Sequence, residues 1–175
     1  SVTTPAPKTA GQNETLTVRN LQPEAQYYVA LKSADAGGNL SAISNGVSVR
    51  TRDEAPARVV NLNVTDRGGG TAPGNATLTL GFTAPGDDNT VGTVARYDIR
   101  FATFSITASN FATATAVTPL PSPLISGSTQ SFTVNSLAVG TFYYVALLAY
   151  DERGNISSLS NVASAVTLDR IPPAT

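Results

Sequence analysis

Apolar and polar residues alternate with period two through much of the chain. Ala76, Leu78, Leu80 and Phe82 are interleaved with Thr77, Thr79 and Gly81, and Tyr97, Ile99 and Phe101 with Arg96, Asp98 and Arg100. Successive side chains of a strand point to opposite faces, so this spacing predicts half-buried strands. Further runs at 58–66, 110–117, 130–137, 141–150 and 160–168 are bounded by Gly, Pro, Asn and Asp clusters. Residues 58–168 are thus expected to hold seven short strands of an all-β unit. Helical periodicity is nowhere convincing, apart from a short turn expected within Phe104 to Phe111.

The same pattern occurs twice. Residues 13–56 align without a gap onto residues 129–172 at a constant offset of 116, and 18 of those 44 positions are identical. Tyr27-Tyr28-Val29-Ala30-Leu31 matches Tyr143-Tyr144-Val145-Ala146-Leu147, and Asp35, Gly38, Asn39, Ser44 and Asn45 match Asp151, Gly154, Asn155, Ser160 and Asn161. Chance similarity would not hold turn residues in register, so the two stretches are one supersecondary unit repeated.

Leu21, Pro23, Tyr27, Val29 and Leu31, with Leu137, Tyr143, Val145 and Leu147 in the second copy, resemble the signature of bacterial fibronectin type III repeats. The stretch Phe82 to Asn89, the Tyr97–Phe101 strand and the Asp151 to Asn161 hairpin are also similar to bacterial members. The resemblance implies an immunoglobulin-like β-sandwich of fibronectin type III topology, about one and a half tandem repeats long. It further implies a corner hydrogen bond from Tyr27 and Tyr143, a core role for Phe82 where the family usually has Trp, and structural roles for Asn45 and Asn161. Val139 departs from the signature, which has Pro there.

Boundaries follow. Residues 1–52 correspond to the C-terminal half of a repeat, 53–57 to a linker with Pro56, 58–168 to a complete repeat, and 169–175 to a linker whose Pro172-Pro173 pair leads into a further repeat. Ser1 aligns with Val117, so the first copy has no counterpart of residues 58–116. Leu16, Val18, Leu21, Tyr27, Val29, Leu31, Val47 and Val49 would be left on an open face, and the chain is expected to be a window on a longer polypeptide.

Composition narrows the chemistry. With no Cys or His there is no thiol nucleophile, imidazole base or zinc cage. A net charge of −1 without a basic run argues against nucleic acid or an anionic membrane as partner. The longest apolar stretch, Phe142 to Tyr150, falls well short of the roughly 20 residues of a spanning helix. Charged residues make up only 13%, about half the usual fraction, which suits secreted and cell-surface proteins. The Arg-Gly-Asp order of integrin ligands is absent. Five Asn-x-Ser/Thr sequons, beginning with Asn13 and Asn39, are expected from composition alone.

Two surfaces stand out. Asp87 and Asp88 should lie at the same end of the sandwich as Asp151 and Glu152, where their oxygens would converge on calcium; the alternative is that Asp and Asn cap turns through their own backbone. Adjacent carboxylates such as Asp87 and Asp88 point apart in a turn and do not flank a sugar cleft. With Tyr143, Val145 and Leu147 inward, the outward set is Phe142, Tyr144, Leu148 and Tyr150, joined by Val162, Val166 and Leu168 and flanked by Arg96 and Arg100. The first copy has Gln26, Tyr28, Lys32, Ala34, Gly46 and Arg50 at the corresponding positions. This greasy outer sheet is expected to meet a partner: an adjacent repeat, a second copy in self-association, or another surface protein. Ordinary cross-strand packing under Arg stems is the competing reading. No catalytic constellation is present. The expectation is a non-catalytic spacer and protein–protein interaction segment of a larger protein, in a string or filament; the alternative is an accessory carbohydrate-binding module of a secreted hydrolase.

Overall fold

The computed structural model describes residues 6–172 and divides the chain into two compact units, Ser1–Asp53 and Glu54–Thr175.

The first unit contains two short antiparallel strands, β1 (Gln26–Val29) and β2 (Val47–Arg50). None of its described residues is buried. Hydrogen bonds hold its shape instead. The Tyr27 hydroxyl accepts from the Gln22 N–H at 2.8 Å, and Leu31 and Ser33 donate their N–H groups to the hydroxyls of Ser44 and Ser41, both at 3.0 Å.

The second unit is a sandwich of two four-stranded sheets. Its strands are β3 (Asn63–Gly70), β4 (Ala76–Thr83), β5 (Arg96–Ala102), β6 (Thr115–Ala116), β7 (Thr129–Leu137), β8 (Phe142–Tyr150), β9 (Ala163–Val166) and β10 (Leu168–Asp169). One sheet runs β10-β3-β4-β7 and the other β6-β5-β8-β9. The chain crosses between sheets after β4, β6, β7 and β9, and β5 pairs with β8 across the intervening β7, which is a Greek-key path. The period-two pattern turns Leu78, Leu80, Ile99, Val145 and Leu147 fully inward from the two sheets. Burial of each large apolar side chain stabilises by about 1.5–3 kcal/mol. Phe82 fills the position expected of a larger ring. It meets Tyr97 edge-on at 5.3 Å between centroids and Phe132 at 6.2 Å.

The structure revises several boundaries. The strand expected over 58–66 begins only at Asn63 and runs on to Gly70, with a bulge between Val64 and Asp66. Residues ahead of it are held otherwise: the Asn161 side-chain amide accepts from the Leu62 N–H at 2.9 Å and donates to the Leu62 carbonyl at 2.8 Å. The 110–117 run divides into a 3-10 turn at Phe111–Thr113, where Phe111 ends the segment expected to turn, and the two-residue β6. Most of the 53–57 linker belongs to the sandwich. Ala57 N–H donates to the Asn89 carbonyl, Asn89 N–H to the Ala55 carbonyl, and Pro56 is buried. At the other end, β10 pairs in parallel with β3 and the Arg170 N–H reaches the Gly70 carbonyl, so the fold continues past residue 168. Pro173 lies outside the described residues.

Candidate functional surfaces

The acidic end is built on a tight turn after β4. Asp88 and Val91 exchange both backbone hydrogen bonds, and Asn89 takes a positive φ of 56°. Gly86 is required by close approach, because a Cβ there would sit 2.3 Å from the Val91 nitrogen. The turn brings Asp87 against Glu152, as loop placement predicts. Burial, then the hydrogen bond and charge of Glu152, push the Asp87 carboxyl up to about 6, and one of its oxygens is buried without a hydrogen-bond partner.

The other two carboxylates are engaged elsewhere. Asp88 accepts from the Glu54 N–H at 2.8 Å. Asp151 sits inside its own hairpin: one oxygen accepts from the N–H groups of Arg153 (2.9 Å) and Asn155 (2.8 Å), the other from the Asn155 side chain (2.7 Å). Burial raises the Asp151 carboxyl, but hydrogen bonds from Asn155, Arg153 and Gly154 outweigh it and hold the group below its ordinary value. A carboxylate ringed by N–H donors is aimed at its own turn. Of the four side chains expected to converge on calcium, Asp87 lies against Glu152, Asp88 ties down the Glu54 N–H and Asp151 locks its own hairpin.

The outer face of β8 is not the open apolar sheet that its sequence suggests. Residues 103–114 fold back over it, placing Ile106, Phe111 and Ala114 on Ala102 and Ala146, with Tyr144, Leu148 and Leu159 packed alongside. Ala146 is consequently fully buried. Arg100 clamps this cover: its Nε and Nη2 grip the two Asp98 oxygens at 3.0 and 3.1 Å, its Nη1 donates to the carbonyls of Ala112 and Ala114, and its guanidinium lies 5.2 Å from the Phe111 ring centre. Arg96 stacks on Tyr150 at 3.6 Å. Sequence reasoning missed Ile106 and Phe111, although the isolated apolar positions in that connection were a signal. What stays open lies along β9 and its lead-in: Phe142 pairs with Val166 at one end and is 44% exposed to its 41%, and Val162 at the other end is 36% exposed. A separate groove of about 550 Å³ is lined by Tyr150, Phe111, Asp98, Arg100, Ile156 and Ser157 among others.

Tyr143 closes the geometry, its hydroxyl accepting from the Ala138 N–H at 3.2 Å across the corner leading into β8, as Tyr27 does in the first unit. Two Greek-key sheets with a tyrosine corner and an internally repeated hairpin decide the fold. The fold is an immunoglobulin-like β-sandwich of fibronectin type III topology. No family model matches it. Chitinase A1 of Niallia circulans is 35% identical over 159 residues, which cover 87% of this chain and 19% of that protein. The chain therefore spans about a fifth of that relative. Similar solved structures include the FN1–FN3 domains of chicken CNTN1, at 18% identity and a TM-score of 0.41 over 85% of this chain and 44% of that one. A titin module from human cardiac muscle is 16% identical, with a TM-score of 0.41 over 66% of this chain and 92% of that one. Among the described residues, no helix is long and apolar enough to cross a membrane.

Proposed function

We propose that the chain is a non-catalytic spacer and interaction segment of a larger secreted or cell-surface protein. The observation that carries this reading is the exposed edge of Phe142, Val162 and Val166 beside the part of the sheet that residues 103–114 cover, a surface suited to an adjacent repeat or a second copy. The low charge and the match to a stretch of a chitinase support an extracellular setting. Phe142→Lys combined with Val166→Lys should abolish association in sedimentation while leaving the melting temperature within a few degrees. Unchanged sedimentation of an associating parent would remove this edge as a partner surface.

A carbohydrate-binding role is the second reading, favoured by the groove beside Tyr150 and Phe111 and by the name of the relative. Retention on chitin that is lost in Tyr150→Ala would replace the spacer reading.

A further inference from the structure

Residues 157–168, which include β9, contain no charged residue and no proline. Edge strands are ordinarily guarded by charge, proline, a bulge or a cover against pairing with further chains. Strand β9 stands at the edge of its sheet, and among the described residues no strand pairs with its outer side. The Thr167 N–H donates to the Thr141 carbonyl, and bonded positions alternate along an antiparallel pair, so Ser164 and Val166 turn their N–H and C=O groups outward. Both residues are exposed.

Beside this edge lies a groove of about 600 Å³ between β9 and β3, lined by Thr65, Asp66, Arg67, Ser164, Ala165 and Arg170 among others. Its charges are separated. Arg67 stands opposite the buried Leu78, on the side of β3 that faces the other sheet, whereas Asp66 stands opposite Thr79, on the outer side. Gly69 shares the inner side with Arg67 and leaves room for Arg170, whose Cδ and Nε would lie 2.4 Å from a Cβ there. Two guanidiniums therefore gather beside the uncharged edge. The ion pairs of the described residues include neither of them.

A strand added to β9 would place alternate side chains on the two faces of the sheet. Those on the outer face would meet Phe142 and Val166, both partly exposed, and those on the inner face would meet Arg67 and Arg170. Carboxylates match the guanidiniums in charge and in planar geometry. A second copy is a poor occupant, because pairing β9 with its own duplicate would bring both arginine pairs to one edge, where like charges repel.

We propose that β9 takes up an extended segment of a partner protein whose residues alternate between apolar and acidic. Its backbone pairs with Ser164 and Val166, its apolar side chains lie on Phe142 and Val166, and its carboxylates bind Arg67 and Arg170. This gives the interaction reading a partner of stated chemistry and rests on it for the role of Phe142 and Val166.

The test adds to the 175-residue chain a labelled peptide of about eight residues alternating glutamate with valine, beside a control alternating lysine with valine. The acidic peptide should bind, slow amide exchange at Ser164 and Val166 by about tenfold or more, and lose affinity as salt is raised. The basic peptide should bind at least about tenfold more weakly, and Arg67→Glu with Arg170→Glu should reverse that order. Ser164→Pro removes one outward N–H, which an edge strand tolerates, and should abolish the protection of Val166 with the melting temperature within a few degrees. Where Ser164→Pro does not fold, the arginine variant decides alone. Equal binding of both peptides, or none of the acidic one to the folded chain, overturns the proposal. So does protection of Ser164 and Val166 in the peptide-free chain that rises with concentration, which would make a second copy the occupant. Association lost in Phe142→Lys with Val166→Lys, with no peptide bound by the parent, overturns this site and keeps the interaction reading. Peptide binding by a parent that does not associate supports the site.

Discussion

The two halves of the internal repeat share a polar skeleton and differ in burial. Ser44 and Ser41 cap the N–H groups of Leu31 and Ser33, as Ser160 and Ser157 cap those of Leu147 and Ala149. Thr51 bridges Ala25 and Gln22 as Thr167 bridges Thr141 and Ala138. Asp35 grips Gly37 and Asn39 as Asp151 grips Arg153 and Asn155. Yet Leu147 is fully buried and Leu31 is 67% exposed. Local hydrogen bonds draw a hairpin's outline from nearby residues alone, whereas a core requires a second sheet from elsewhere in the chain.

The largest test of that contrast is a matched truncation. Leu147→Ala should destabilise the complete sandwich by about 2–5 kcal/mol in denaturant unfolding, because it removes a fully buried side chain. Leu31→Ala, at the same place in the hairpin, should change that transition by less than about 0.5 kcal/mol. Equal losses from both would mean that the first unit has a core after all. Next comes the clasp: Asn161→Ala leaves both backbone groups of Leu62 without their partner and should cost about 1–3 kcal/mol, while Asn45→Ala in the same chain should cost nothing measurable. Tyr143→Phe should lose about 0.5–1.5 kcal/mol with the corner bond, and a thermal melt will show whether Tyr27→Phe leaves the sandwich transition in place.

The smallest effect expected is electrostatic and belongs to the complete unit. The Asp87 carboxyl is raised to about 6 in the fold, above the roughly 3.9 of an unfolded chain. A raised folded pKa favours the native state fully below about pH 4, and that contribution is lost as pH rises through about 6. Asp87→Asn should therefore raise the melting temperature at pH 7–8, with the gain fading towards pH 4; solvent screening keeps it modest. An equal gain at both pH values would assign the effect to packing.

Much of this was legible in the residues themselves. Alternation placed β4 and β5, runs bounded by turn residues placed β7 and β8, the family resemblance implied both tyrosine corner bonds, and Asp151 with Gly154 and Asn155 forecast the locked hairpin. The candidate surfaces were legible only in part. Asp87 and Glu152 do meet, but nothing local says that Asp151 spends both oxygens on its own turn or that Asp88 ties down Glu54. Likewise the pattern of β8 announces two apolar faces without saying that Ile106 and Phe111 will cover one of them under the Arg100 clamp.

Strand period, turn chemistry and the repeat itself were fixed by the sequence, because each depends on residues a few positions apart or on identity at a constant offset. Tertiary structure decided which faces are buried, how 54–57 and 168–170 join the sandwich, and which carboxylates remain in contact. Those outcomes depend on packing between segments distant in the chain, where the free energy of burial belongs to pairs of surfaces and not to either surface alone.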